Sequence, residues 1–390
     1  MGLSHLDPAL HSARPSWFQR YLLPGLAFKA VVIGGGYATG RELAEYFIPS
    51  GPWGGVASMF LAMVIWSCVC VVTFLFSRLT KALNYRAFFT ELLGPFAWLF
   101  ELSYFAYVIV VLAVFGAAAG SLGHTLFAWP LIYGTLCLIA GISFFTAFGS
   151  VSVEGLFKWV SILLYATYTA FFVLALLRFG ERIPASFALS QPIQGWAARG
   201  VIYSGYNILG AVVILPVARH FLSDRDAVKA GILCGPLAML PALVFFVCMC
   251  AFYPDIGSET LPSDFMLRQM NLPLFHLVFQ LMIFAALLES GTGAVHAVNE
   301  RLAASYRARR AREIPYFLRL ISSTLILVGS IFLASRFGLV TLIARGYRLL
   351  AYLILLLYVA PLMTYGLWRV LSGYRARLVQ VTAARSAGVS

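Results

Sequence analysis

Charged residues are scarce in this sequence. Of its 390 residues only 11% are Asp, Glu, Lys or Arg, whereas 61% are hydrophobic and the mean hydropathy is +0.87. A water-soluble domain of this length cannot bury so much apolar surface, which excludes the soluble globular class. Apolar stretches of about 20 residues recur along the chain, and each is long enough to cross a bilayer. The composition therefore predicts an all-α polytopic membrane protein with about ten transmembrane helices.

Acidic residues are scarcer than basic ones. The chain has 15 Asp and Glu against 28 Lys and Arg, a formal net charge of +13. The basic residues concentrate in alternating connections between apolar segments, as the positive-inside rule describes for cytoplasmic loops. We therefore predict that the lipid bilayer is a partner of this chain, that nucleic acid is not, and that both termini are cytoplasmic. The acidic connection 253–273 then falls on the outer side.

Paired cysteines and catalytic motifs are also missing. The six cysteines form no CxxC spacing and lie in apolar segments, so the sequence predicts neither a disulfide framework nor a cysteine metal site. No HExxH motif, Walker loop or nucleophile elbow occurs in the sequence. These absences favour a protein that is not an enzyme and has no cofactor.

The apolar segments fall into two sets of five. The predicted helices are 22–47, 53–76, 96–122, 126–148, 152–179, 196–220, 227–252, 274–299, 317–335 and 349–370. The chain then divides into an N-terminal tail (1–21), a first set of helices (22–179), an external connection (180–195), a second set (196–371) and a C-terminal tail (372–390).

A run of three glycines, Gly34, Gly35 and Gly36, lies about half-way along the first predicted helix. Each glycine lowers helix stability by about 1 kcal/mol relative to alanine, so the run favours a break. In lipid, a broken helix is tolerated only where its freed backbone groups face protein, water or a ligand. The break therefore predicts a binding site, with close packing of helices at small residues as the alternative.

Charged residues follow the break at Arg41, Glu42 and Glu45, and they are unfavourable wherever they face hydrocarbon. Arg41 is predicted to bind a substrate carboxylate in a bidentate manner. The alternatives are a pair with Glu45, one helical turn away, a gate charge at the outer vestibule, and a pair with Glu289 of the eighth helix.

The sixth predicted helix is interrupted in a similar way by Tyr203-Ser204-Gly205-Tyr206-Asn207. Because this helix lies five helices after the first, the two begin on opposite membrane faces. Interrupted helices at corresponding positions of two inverted halves point to a transporter's binding site at the midplane. We predict that this site is lined by Gly34, Gly35, Gly36, Tyr37, Thr39, Arg41, Tyr104 or its neighbour Tyr107, Tyr203, Ser204, Gly205, Tyr206, Asn207 and Glu289.

Glu289, Ser290 and Thr292 lie near the middle of the eighth predicted helix. An acid at that depth must be protonated, paired or facing water, so Glu289 is predicted to carry a proton, bind a substrate amine or pair with Arg41. The hydroxyl oxygens of Ser290 and Thr292 suit sodium. Their alternative role is to hydrogen-bond the backbone of their own helix.

Two motifs give the sequence a family resemblance. The stretch Gly34-Gly35-Gly36-Tyr37-Ala38-Thr39-Gly40-Arg41-Glu42 resembles the Gly-Ala-Gly-Phe-Ala-Ser-Gly-Gln-Glu signature of bacterial YkvI-like membrane proteins. The stretch Glu289-Ser290-Gly291-Thr292-Gly293 is similar to the eighth helix of that family. Arg41 departs from the family pattern, which often has glutamine there.

The resemblance implies the amino acid–polyamine–organocation superfamily and a LeuT-like five-plus-five inverted repeat, with discontinuous first and sixth helices. It implies a secondary active transporter of a small organic solute, an amino acid or related amine, in the bacterial inner membrane. A solute-binding sensor derived from this fold and a membrane-embedded enzyme are the alternative functions.

A coupling ion is also implied by the resemblance. Sodium would be bound by Ile33, Gly36, Ser290 and Thr292, because the first and eighth helices share a sodium site in LeuT-like transporters. A proton would instead be carried by Glu289 and Lys158, since some proton-coupled relatives have a lysine in the fifth helix. For Lys158 the alternative is an ordinary helix pair with Glu154.

Overall fold

The computed structural model describes residues 15–147, 150–188, 194–310, 312 and 315–374. Regular structure within these ranges is helical, without strands, so the predicted all-α class is confirmed. The first half contains α1 (Leu23–Val32), α2 (Gly35–Ala38), α3 (Arg41–Tyr46), α4 (Gly51–Thr80), α5 (Tyr85–Leu93), α6 (Ala97–Phe127), α7 (Leu131–Ala147), α8 (Ser150–Phe179) and α9 (Arg182–Ala188). The second half contains α10 (Trp196–Asn207), α11 (Gly210–Val213), α12 (Asp224–Cys250), α13 (Pro262–Met270), α14 (Pro273–Arg310), α15 (Tyr316–Thr341) and α16 (Tyr347–Ile354).

The helices form two packed groups. In one group α4 and α12 lie against each other, and α1 and α10 pack on this pair. In the other group α6 packs on α7 and α15, while α14 contacts α6, α7 and α8. The short helix α2 contacts both α14 and α6. The break in the first helix therefore lies where the two groups meet.

The first predicted helix is interrupted at two places. Helix α1 ends at Val32, after which Ile33 has a non-helical ψ of 71° and Gly34 is extended. A second interruption occurs at Gly40, whose φ of +76° favours glycine. A β-carbon on Gly40 would also lie 3.0 Å from the ring of Phe245. Both the backbone conformation and the available space therefore require glycine at this position.

The predicted break in the first helix is confirmed, but it is narrower than the glycine triplet. Only Gly34 is extended, whereas Gly35 and Gly36 begin α2. Since glycine lowers helix stability without forbidding a helix, the triplet permits the break and does not fix its length.

The sixth predicted helix is divided after its polar stretch and not within it. Residues 203–207 form the last turns of α10, because the amide of Ile208 still bonds to the carbonyl of Ser204 at 2.9 Å. The amide of Ala211 then bonds to the carbonyl of Ile208, three residues back. The expectation of a break inside 203–207 is therefore corrected to a break at residues 208–209. Leu215–His220 continues this segment as a 3-10 helix.

Five described helical runs are long and apolar enough to cross a membrane, or six if the bent pair Leu163–Phe179 and Arg182–Ala188 is one span. This number of spans is lower than the about ten transmembrane helices predicted from the sequence. Broken helices are too short to be counted, and neighbouring helices join into single runs such as Ile321–Tyr374. Each predicted helix has a counterpart among the described elements.

Three predicted connections contain short helices that hydropathy does not reveal. Helix α5 lies between the second and third predicted helices, α9 lies between the fifth and sixth, and α13 lies in the acidic connection. The π-helical turns Leu355–Val359 and Leu362–Gly366 extend the tenth helix beyond α16.

Glycines bring α4 and α12 into close contact. A β-carbon on Gly235 would collide with the backbone oxygen of Met63, and one on Gly231 would lie 2.6 Å from the backbone nitrogen of Val71. Backbone atoms cannot move aside as the end of a flexible side chain does. Small residues of this kind allow close approach of helices in membranes.

We expect Gly235→Val to lower the free energy of unfolding by roughly 1–3 kcal/mol, because the added carbons force α4 and α12 apart. The measurement is thermal unfolding of the purified protein in detergent. Gly329→Ala is the control, since the nearest atom to its β-carbon is 4.0 Å away, on Ile109. Equal melting temperatures for Gly235→Val and the wild type would contradict the close-packing argument.

Candidate functional site

A cavity of about 320 Å³ lies at the break of the first helix. Residues of both helix groups line it, from α1, α3, α6, α10, α11, α14 and the start of α16. Its lining includes Gly34, Glu42, Tyr104, Tyr107, Phe115, Tyr206, Asn207, Ser290 and Tyr347. The volume is at the low end for small-molecule sites, so this central cavity suits a small solute.

Glu42 supplies a carboxylate to the central cavity. The residue is 4% exposed, and its Oε2 accepts a hydrogen bond of 2.6 Å from the hydroxyl of Tyr206. This bond connects α3 with α10, which are parts of the two broken helices. Hydrogen bonds to an ionised group are shorter and stronger than those between neutral groups. The pair therefore fixes the two broken helices to each other at the cavity.

Tyrosine rings cover the cavity on the side of the acidic connection. The ring of Tyr206 lies 4.6 Å from that of Tyr347 and 5.8 Å from that of Tyr46, measured between centroids. The hydroxyl of Tyr46 donates a hydrogen bond of 2.8 Å to the carbonyl of Ile343. Helix α3 also contacts the 3-10 turn Asp255–Ser258 of the acidic connection. These contacts close one side of the cavity.

Arg41 strengthens this closure from outside the cavity. Its Nη1 donates hydrogen bonds of 2.8 Å to the carbonyls of Gly257 and Glu259, and its Nη2 pairs with Glu45 at 2.7 Å. Arg41 is 4% exposed and is not among the described residues that line the cavity. The structure therefore supports the alternative in which Arg41 pairs with Glu45. A role in binding a substrate carboxylate is not supported, because the loop carbonyls and Glu45 already engage the guanidinium.

The opposite side of the cavity is open. Val31 of α1 and Val213 of α11 line the cavity while remaining 37% and 44% exposed. Both residues belong to the halves of the broken helices that lie away from the acidic connection. The central cavity is therefore covered on one side and accessible from the other.

A second cavity of about 240 Å³ borders the first and shares Ser290 with it. Its other lining residues include Lys29 and Ile33 of the first helix, Tyr165 of α8 and Glu289 of α14. The Lys29 Nζ atom lies 4.2 Å from the centroid of the Tyr165 ring. Glu289 is half-buried and forms no ion pair with the described residues.

The two predicted sodium-binding hydroxyls have different surroundings. Ser290 Oγ would lie 3.8 Å from a β-carbon on Gly34, so it faces the break. Thr292 is fully buried, and its Oγ1 has no hydrogen-bond partner within the described part of the chain. A buried hydroxyl without a partner is unfavourable by about 1–3 kcal/mol. Thr292 therefore does not hydrogen-bond the backbone of its own helix, contrary to the alternative role.

The structure divides the predicted site residues into two sets. Those that line one of the two cavities are Ile33, Gly34, Tyr104, Tyr107, Tyr206, Asn207, Glu289 and Ser290. Those that lie outside the lining of both cavities as described are Tyr37, Thr39, Arg41, Tyr203, Ser204, Gly205 and Thr292. Gly35 and Gly36 are described only as the helical start of α2, and the side chains of Lys158 and Glu154 lie outside the described residues.

Aromatic packing explains why two predicted tyrosines do not reach the cavity. Tyr203 is fully buried, with its ring 4.7 Å from that of Phe47 and 5.7 Å from that of Trp66. Tyr37 packs its ring against Tyr168 and Phe245. Two further residues of this set also make contacts outside the cavities. Gly205 lies against Ala351 and Leu355, and the carbonyl of Thr39 accepts a hydrogen bond from the amide of Ser263.

The sequence prediction missed several lining residues, among them Lys29, Glu42, Phe115 and Tyr347. A lysine inside an apolar segment was a detectable signal. Glu42 was recognised as a charge that is unfavourable in lipid, but the substrate-binding role was assigned to Arg41 beside it. Tyr347 lies just before the predicted start of the tenth helix, and Phe115 resembles any other apolar residue of the third helix.

Within the described residues, no group of three or more His, Cys, Asp or Glu is arranged to hold a metal ion.

A search of protein-family models finds no match to this chain. The chain is 22% identical over 284 residues to the uncharacterized membrane protein YkvI of Bacillus subtilis, and the match covers 71% of this chain and 80% of that protein. The predicted resemblance to YkvI-like proteins is confirmed.

Several solved structures share the fold of this chain. A substrate-bound, outward-open Na+-coupled sialic acid symporter has a TM-score of 0.59 at 12% identity, covering 87% of this chain and 78% of its own. MhsT in complex with L-phenylalanine has a TM-score of 0.57 at 15% identity, covering 93% and 99%. Inward-facing Mhp1 has a TM-score of 0.54 at 17% identity, covering 92% and 77%. These likenesses confirm the predicted LeuT-like fold.

Proposed function

We propose that this chain is a secondary active transporter that moves a small organic solute across a membrane by alternating access. The observation that carries the proposal is the central cavity, which lies at the broken helices between two packed groups and is open on one side only. Alternating access requires such a site, together with contacts that close each side in turn. The tyrosine cover and the Arg41 contacts are the contacts of the closed side.

The acidic connection faces the outside in this proposal, and both termini lie in the cytoplasm. The support is the distribution of lysine and arginine among the connections. The cavity is then open towards the cytoplasm and closed towards the outside. We place the protein in the bacterial inner membrane because its similarity to YkvI is to a bacterial membrane protein.

The proposed solute is an amino acid or a related amine. Among the solved structures of this fold, MhsT is in complex with L-phenylalanine, an amino acid of a size that suits the central cavity. The carboxylate of Glu42, the amide of Asn207 and the hydroxyls of Tyr104 and Tyr107 offer polar groups to such a solute.

The second cavity is the proposed site of the coupling ion. Ser290 and Ile33 line it and adjoin the break, in support of sodium, and a sialic acid symporter of this fold is Na+-coupled. Glu289 lines the same cavity without an ion-pair partner among the described residues, in support of a proton. Either ion would link the first helix to α14.

The proposal is tested with purified protein in proteoliposomes. Radiolabelled amino acids and amines are offered under an inward sodium gradient, an inward proton gradient or neither. We expect accumulation that is driven by one of the two gradients and is abolished when an ionophore dissipates it. Binding of a solute without accumulation or exchange would instead indicate a sensor, and chemical conversion of the solute would indicate an enzyme.

We expect Glu289→Gln to reduce gradient-driven accumulation by roughly tenfold or more, because the variant cannot exchange a proton and lacks the charge to attract sodium. Exchange of solute across proteoliposomes without a gradient should persist, since Glu289 lies outside the lining of the central cavity. Glu300→Gln is the control, an exposed acid on the same helix. Full accumulation by Glu289→Gln would exclude this residue from coupling.

A further inference from the structure

The central cavity is electrically one-sided. Glu42 is the only Asp or Glu among the described lining residues, and none of them is Lys, Arg or His. The other polar groups are tyrosine hydroxyls, the amide of Asn207 and the hydroxyl of Ser290. The charge that the cavity offers to a solute is therefore negative.

The Glu42 carboxylate retains capacity for a ligand. Its Oε2 accepts the hydrogen bond from Tyr206, whereas its Oε1 has no partner among the described residues. A carboxylate removed from water without a counter-ion is strongly disfavoured. A ligand cation in the cavity would provide the missing counter-ion and occupy the remaining oxygen.

The rings around Glu42 also favour a cation. Tyr104, Tyr107, Phe115, Tyr206 and Tyr347 all line the central cavity. The face of an aromatic ring attracts an ammonium group, most strongly where water is excluded. The Glu42 carboxylate and five aromatic rings therefore line the same cavity.

The nearest described cations do not neutralise this cavity. The Cζ atom of Arg301 lies 3.4 Å from the centroid of the Tyr104 ring, and Arg301 is not a lining residue of the central cavity. Lys29 belongs to the second cavity, and Arg41 is held by the acidic connection and Glu45. A solute carboxylate therefore finds no basic side chain in the central cavity.

From this arrangement we infer that the solute is an organic cation whose ammonium group binds Glu42, and that a solute with an added carboxylate is discriminated against. The inference rests on the proposed transport function and narrows its substrate class from amino acids and amines to amines. Glu42 would bind the solute directly, while Tyr206 holds the carboxylate in position.

The test compares ligands that share one body and differ in charge. A phenylethyl set consists of phenethylamine, phenylalanine, 3-phenylpropionate and 2-phenylethanol, and a butyl set of butylamine, norvaline, pentanoate and butanol. Calorimetry with the full chain in detergent measures binding, and proteoliposomes measure uptake. In at least one set we expect the amine to bind about tenfold more tightly than the amino acid, a difference of about 1.4 kcal/mol.

Glu42→Gln preserves the size of the side chain and the acceptor for Tyr206, so we expect it to fold. It should lower amine affinity by roughly tenfold or more and leave affinity for the alcohol unchanged. If Glu42→Gln does not fold, Glu42→Asp is tested instead. Its carboxylate lies one methylene group farther from the solute, so amine binding should weaken while alcohol binding stays unchanged. Glu91→Gln is the control, an exposed acid paired with Arg369 at 2.7 Å.

Tyr206→Phe separates ligand binding from a structural role. If Glu42 binds the ammonium group, Tyr206→Phe retains the preference for the amine over the amino acid. If Glu42 only positions Tyr206, Glu42→Gln, which keeps the acceptor, retains the preference and Tyr206→Phe loses it, which overturns the inference. Equal binding of amine and amino acid by the wild type also overturns it, and uptake of the amino acid would then leave the proposed transport intact. If none of the compounds binds and none is taken up, both proposals are overturned.

Discussion

Replacing Arg41 by alanine is expected to make the central cavity accessible from the side of the acidic connection. The guanidinium makes three polar contacts there, with the carbonyls of Gly257 and Glu259 and with the carboxylate of Glu45. A hydrogen bond to a charged group contributes about 1.5–3 kcal/mol. Since about 1.4 kcal/mol changes an equilibrium tenfold, loss of these contacts should raise the population open to that side at least about tenfold.

Thiol labelling measures this opening. Val111 lines the central cavity, so Val111→Cys is a reporter in a protein whose six native cysteines have been replaced. A membrane-impermeant thiol reagent is applied to each side of sealed vesicles, and Ser258→Cys, at an exposed position of the acidic connection, identifies the side. We expect Arg41→Ala to increase the labelling rate of Val111→Cys from that side by about tenfold.

Two further substitutions control for charge and for general disruption. Arg41→Lys keeps the charge but cannot reproduce the planar set of contacts, so an intermediate labelling rate is expected. Arg268→Ala removes another arginine of the same connection. The side chain of Arg268 is 59% exposed and pairs with Asp264. Its labelling rate should equal that of the parent protein. An unchanged rate in Arg41→Ala would show that Arg41 does not hold this side closed.

Hydropathy and glycine placement were sufficient to predict the helices and the break in the first one, whereas the LeuT-like arrangement was implied by the family resemblance. Apolar length gives the helices, and three consecutive glycines give the break in the first one, because both effects depend on local sequence alone. The division of the sixth helix lies at residues 208–209, whereas it was predicted within 203–207. Tyr203 and Asn207 look unfavourable in a buried helix when their partners are unknown. In the structure Tyr203 packs in an aromatic core and Asn207 donates to its carbonyl.

Assignment of the site depends on contacts that the sequence does not contain. Arg41 and Glu42 are consecutive, and a helix places consecutive side chains about 100° apart, so one can face the cavity while the other faces the acidic connection. Which residue does so is decided by the position of that connection, whose helix α13 was itself not predicted. Tyr347 was also missed because its place in the cavity depends on tertiary packing. It reaches the cavity from the start of α16.

The π-helical turn Phe18–Leu22, which leads into α1, is tied to α12 by a second group of polar contacts, on the side where the cavity is open. Arg20 bonds to both oxygens of Asp226, at 2.7 and 3.1 Å, and the hydroxyl of Tyr21 adds a bond of 2.9 Å. The amides of Leu222 and Ser223 also donate to Asp226, which is 1% exposed. One carboxylate thus caps α12 and anchors the segment that leads into α1.

Asp226→Ala is expected to lower the free energy of unfolding by about 3 kcal/mol, at the low end for breaking a buried ion pair because the side chain of Arg20 is 26% exposed. Asp224→Ala is the matched control in the same helical turn. Its carboxylate is 24% exposed and pairs with Arg78, so a loss of at most about 1 kcal/mol is expected. Chemical unfolding in detergent compares the two, and equal losses would contradict the anchoring role.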